Sequence, residues 1–126
     1  MSYILLIGLG GALGAISRYL VNQIAIIYLD SSLVGTFIVN ISGSFLLGLL
    51  AGLLLSHPNW PEETKIFFAV GFLGSYTTFS TLSLATVQSL EKGDISTATI
   101  NIGASLILGV IAAGGGIFLG KAIRLG

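Results

Sequence analysis

Between Gly71 and Thr81 the chain reads Gly71-Phe72-Leu73-Gly74-Ser75-Tyr76-Thr77-Thr78-Phe79-Ser80-Thr81. Six of the seven residues from Ser75 to Thr81 bear hydroxyls, and Gly71 and Gly74 precede them. The run lies inside a long apolar stretch, residues 66–90. Glycine and β-branched threonine weaken a helix, and hydroxyls compete for its backbone groups. Apolar flanks of bilayer-crossing length around such a centre predict a membrane helix that is broken partway across. Irregular backbone at that depth must be buried in protein or line a cavity. Broken helices there present carbonyls to cations and N–H groups to anions. The alternative is a kinked, passive helix whose hydroxyls bond back to their own carbonyls.

Three more apolar runs flank this one, at about residues 3–28, 33–55 and 95–123, each exceeding the roughly 20 residues a transmembrane helix needs. What remains is short: Asp30, Ser31 and Ser32; the loop from Ser56 to Glu63; and the turn Glu91, Lys92, Gly93, Asp94. Of 126 residues, 54% are hydrophobic and 8% charged. A soluble domain carries about a quarter charged residues, so a water-facing globule is excluded. The runs also lack the strict alternation of barrel strands. The expected fold is an all-α membrane protein, one domain over residues 1–126 with four transmembrane helices and a broken third. The first run has no basic start and exceeds a signal-peptide core, so it is expected to be retained.

The same composition removes several function classes. Without cysteine there is no disulfide framework, thiolate chemistry or Cys-type metal site. A lone His57 cannot build a His-rich metal cage, and no Ser, His and Asp set suggests hydrolysis. Five basic residues balance five acidic ones with no basic run, so nucleic acid is not an expected partner. Lys65, Lys121 and Arg124 fall on the side of the two termini, against Lys92 on the other. That bias favours both ends in the cytoplasm, although counting Arg18 with the opposite side narrows it to three against two. Every acidic residue lies in a loop or at a span end. Proton-coupled carriers relay through intramembrane Asp, Glu or His, which counts against a small four-helix drug or cation transporter.

Few polar side chains are left within the spans. Arg18, in the first, follows Gly11, Gly14 and Ala15, small residues that allow close helix approach. It is either an arginine snorkelling or bonding a helix end, or a fixed positive charge at the mouth of an anion path. Thr36, Asn40 and Ser44 stack at intervals of four on the second span, and Asn101, Ser105 and Gly109 do so on the fourth. Singly, such residues serve as interhelical hydrogen-bonding glue. Together with the hydroxyl run they outline a path of neutral donors, which suits a small, strongly hydrated anion. Phe79 adds the positive edge of its ring, or simply packs.

Three ordered segments carry a family resemblance. They are Gly10-Gly11-Ala12-Leu13-Gly14-Ala15-Ile16-Ser17-Arg18-Tyr19, then Gly35-Thr36-Phe37-Ile38-Val39-Asn40-Ile41-Ser42-Gly43-Ser44-Phe45, and the Gly71 to Thr81 run. Over nearly its whole length the chain resembles the Fluc or CrcB fluoride channels, small four-helix proteins of bacterial membranes. The resemblance implies a channel, not an enzyme, that exports fluoride down its electrochemical gradient and lowers it in the cytoplasm. It implies a multi-pass protein of the inner membrane, an antiparallel dual-topology dimer in the lipid bilayer, and two pores at the interface. A structural Na+ would lie at the dimer centre on backbone carbonyls that map to Gly74 and Thr77. Asn40, Phe79, Ser80, Thr81, Asn101 and Ser105 match pore-lining positions, and Arg18 matches an arginine of the anion vestibule. The chain departs from the pattern where a second pore phenylalanine becomes Leu82 and a glutamate becomes Ala85. Those losses point to a heterodimer with a related four-helix subunit as the alternative to a homodimer. They also leave open a non-conducting structural or regulatory subunit.

Overall fold

The computed structural model describes residues 2–123. Arg124, counted above among the basic residues, lies outside them. Four spans are long and apolar enough to cross a membrane: Tyr3–Leu29, Ser32–Ser56, Glu62–Glu91 and Ile95–Ala122. No strand occurs among the described residues. The turn between the first two spans is set by two side chains. Asp30 adopts a left-handed backbone, φ 52°, a conformation that aspartate tolerates better than most residues. Ser31 then accepts the Val34 N–H at 3.3 Å and caps the second helix. At the other hairpin Gly93 takes the positive φ, and the Asp94 carboxylate accepts from both the Thr97 amide (3.1 Å) and its hydroxyl (2.7 Å).

The third span differs from a plain rod in two ways. It starts four residues before the expected 66, directly after Pro61, because Glu62 and Glu63 sit well at the positive end of a helix. It then widens into a π-helix over Ile66–Leu73 before one last α turn, Gly74–Tyr76. Nothing in the sequence pattern announced the π stretch. Helix ends at Thr77 and Thr78, both extended (ψ 154° and 118°), and resumes over Phe79–Glu91. The break falls inside the hydroxyl run, as its composition predicts.

Packing rests on glycine-mediated backbone contact. The second and fourth spans share the largest interface. Gly48 meets the backbone of Ala113, and Gly116 that of Phe45, with no room for a Cβ at either. The first span lies on the third in the same way, Gly10 against Phe67 and Gly14 against Phe72. Lipid is as apolar as leucine, so membrane helices associate through close packing and polar contacts rather than hydrophobic exclusion. The buried cluster is accordingly small: Val39, Leu73 and Tyr76 with Val21 and Phe72 against it. Most large apolar side chains are exposed on the surface of the single chain.

Candidate ion pathway at the broken span

A continuous helix through residues 74–81 would bond each carbonyl to the N–H four residues on. Here those amides are diverted. The Thr78 N–H, which would serve Gly74, donates to Asn40 Oδ1 at 2.8 Å, and Asn40 Nδ2 donates back to the Thr78 carbonyl at 3.0 Å. The Thr81 N–H, which would serve Thr77, donates to Thr78 Oγ1 at 3.3 Å, capping the second half-helix. The Ser75 carbonyl accepts from Arg18 Nε at 3.1 Å. Gly74 and Thr77, the two positions marked for carbonyl ligation, have lost their helical donors, as have Ser75 and Tyr76 between them. Gly43 makes room for the break: a side chain there would collide with Thr77 and Tyr76. Tyr76 is tied to the second span through Ser42 Oγ at 3.0 Å.

Two helix ends of opposite polarity therefore meet within the membrane-spanning region. The half-helix ending at Tyr76 presents its negative carbonyl end, and the 13-residue helix starting at Phe79 its positive N–H end. Phe79 stands at that positive end, 82% exposed. Beside it runs a groove of about 530 Å³ lined by Asn40, Ser44, Leu82, Ser83 and Ser105 among others. Ser105 is 8% exposed, and its hydroxyl has no hydrogen-bond partner among the described residues. An unsatisfied buried hydroxyl costs about 1 to 3 kcal/mol, so a polar ligand in the groove is what such a group calls for. No cluster of three His, Cys, Asp or Glu side chains exists among the described residues. The oxygens gathered at this place are neutral ones: backbone carbonyls, hydroxyls and the Asn40 amide.

The expected site residues divide. Asn40, Thr77, Phe79 and Ser105 share the groove. Ser80 and Thr81 sit in the first turn of the second half-helix, their hydroxyls near Thr78 Oγ1 at 3.3 and 3.1 Å. Asn101 does not join them. It lines a separate groove with Phe37 and Thr97, and Nδ2 donates to Thr86 Oγ1 at 3.4 Å. Arg18 is partly buried and engaged on the Ser75 carbonyl. Two participants escaped the sequence reading. Ser83, four residues beyond Phe79, lines the groove, and Thr78 organises the break through both its backbone and its side chain.

Four spans, one interrupted where polar groups converge on an open groove, define a multi-pass membrane protein of ion-channel type. The family model described as CrcB-like protein, Camphor Resistance (CrcB), matches residues 5–117. The chain belongs to this family. The fluoride-specific ion channel FluC of Hydrogenovibrio crunogenus is 42% identical over 116 residues, covering 91% of this chain and 88% of the relative. The protein of the same description from Dehalococcoides mccartyi strain CBDB1 is 40% identical over 125 residues, covering 98% and 96%. That of Acidobacterium capsulatum is 38% identical over 118 residues, covering 93% and 94%.

Proposed function

We propose that this chain is a subunit of a fluoride-selective channel of the bacterial plasma membrane. It passes the anion down its electrochemical gradient and so lowers fluoride in the cytoplasm. The observation that carries the reading is the junction of Phe79, the positive end of its half-helix and the unpartnered Ser105 hydroxyl along one groove. Neutral donors in series replace part of the hydration shell of a small anion without holding it as a charge would, which conduction requires. Ser80 and Thr81, one turn in from the break, extend the donor set. Asn40 acts chiefly through Thr78: its amide oxygen and nitrogen both bond to, and brace, the backbone on which Phe79 is mounted. Asn101, bonded to Thr86 along a separate groove, is left outside this donor set.

Dimerisation belongs to the same proposal. Gly74 and Ser80 are exposed on the single chain, and polar backbone at a helix break is not tolerated against lipid. A second four-helix subunit covers it, completes the wall opposite Phe79, and encloses the groove. The carbonyls of Gly74 and Thr77 suit a hard monovalent cation such as Na+, which takes neutral oxygen ligands. Held there, Na+ supplies positive charge at the negative end of the first half-helix. Leu82 on the groove wall favours a heterodimer, in which a related partner contributes the aromatic group this chain lacks at that position.

Fluoride and chloride efflux from liposomes loaded with the purified protein tests the reading. Rapid fluoride release with chloride retained is expected. If the folded protein, alone and after co-expression with a related four-helix chain, releases no fluoride, the channel proposal fails and a supporting, non-conducting subunit takes its place.

A further inference from the structure

Gly10, Gly14 and Arg18 lie four residues apart on one face of the first helix. The glycines seat that face directly on the backbone of Phe67 and Phe72. One turn further on, the same face reaches the last turn of the half-helix, where Arg18 Nε meets the Ser75 carbonyl at 3.1 Å. The glycine contacts thus set the depth at which the guanidinium arrives. A charge in the middle of a membrane helix needs a partner, and here it is the negative end of a helix, reached by a charge-assisted hydrogen bond.

We propose that Arg18 is a positioning residue for the break, acting through the Nε–H donor rather than only as a vestibule charge. It fixes the last turn at Ser75. That turn precedes Thr77 and Thr78, so Arg18 on one side and Asn40 on the other hold the two extended residues between them. It also occupies the carbonyl of Ser75, which lies between the diverted positions Gly74 and Thr77, and so keeps it from any ion at the break.

Two substitutions separate donor from charge. Arg18→Gln removes the charge but places an amide nitrogen at the same number of bonds from Cα as Nε. Arg18→Met has similar length and neither donor nor charge. Hydrogen exchange of residues 77–81 in the membrane-reconstituted full chain is read against residues 105–115 as control. Arg18→Met is expected to speed exchange of 77–81 about tenfold, the loss of one charge-assisted bond. Arg18→Gln should stay within about threefold of the parent, since a neutral bond replaces a charged one. Equal acceleration in both variants, or none in Arg18→Met, overturns the proposal. If Arg18→Met does not insert, Arg18→Gln decides: protection within threefold upholds it, and tenfold loss sinks it. The exchange arm does not depend on the fluoride reading. A flux arm does, and there Arg18→Gln should release fluoride several-fold faster than Arg18→Met; a silent parent protein would count against the channel while leaving the exchange result to judge Arg18.

Discussion

Asn40→Leu removes the brace that holds the break from the second span. Leucine matches asparagine closely in size, so the perturbation is chemical. It strips partners from the Thr78 N–H and the Thr78 carbonyl, bonded now at 2.8 and 3.0 Å. An unsatisfied buried group costs about 1 to 3 kcal/mol, giving about 2 to 6 kcal/mol for two. The pair is only part-buried, so the lower end applies. About 2 kcal/mol against the ordered break corresponds to roughly thirtyfold in the population of the conducting arrangement. Fluoride efflux from liposomes should therefore fall about thirtyfold while the four spans still insert. Asn40→Asp separates the two bonds, because its carboxylate accepts the Thr78 N–H but repels both the Thr78 carbonyl and an approaching anion. It should order the break better than leucine does and conduct no better. Asn40→Leu flux within threefold of the parent, at equal protein per vesicle, would refute the reasoning.

Ser105→Ala deletes a buried hydroxyl that has no partner, so thermal unfolding in detergent should be unchanged or raised by about 1 kcal/mol, while fluoride flux drops several-fold; a clear loss of stability would mean the hydroxyl was satisfied. Gly116→Leu drives a side chain into the Phe45 backbone and should destabilise the second–fourth helix interface by about 3 kcal/mol, seen as lost expression of monodisperse protein. Gly114→Ala, which meets open space, is its silent control. The Asp94 carboxyl is held below its ordinary value of 3.8, first by the Thr97 hydroxyl and then by the Thr97 amide. A depressed folded pKa stabilises above the unfolded value and is lost as pH falls through the folded one. Acid melts should show that loss beginning below pH 3.8, and Asp94→Asn should flatten it.

The four spans were readable because long apolar runs in a chain with 8% charge have no other home. The break was readable because Gly74, Thr77 and Thr78 are each poor in a helix interior. What escaped were pairings made in three dimensions. Asn40 and Thr78 are 38 residues apart, and Arg18 and Ser75 are 57, so no local pattern joins them. The partner of Asn101 was likewise not legible in the sequence. The Asn101 side chain donates to Thr86 Oγ1 on the preceding helix and lines a different groove of the single chain from Ser105 and Gly109.

The π-helical stretch Ile66–Leu73 has a further consequence, for tolerance to changes in chain length. Each of its i→i+5 bonds spans one more residue than the i→i+4 bond of an α-helix does. The segment lies between Pro61 and the doubly held break, and within it Phe67 and Phe72 are seated against Gly10 and Gly14 of the first span. Its slack is therefore limited to the entrance, ahead of the Phe67 contact. A residue gained or lost there can be absorbed by widening or tightening the turn while Ser75 and Thr78 stay level with Arg18 and Asn40. The last helix is seated glycine against backbone on the second at Gly116 and Gly120, and a single deletion ahead of them would put every contact beyond it out of step.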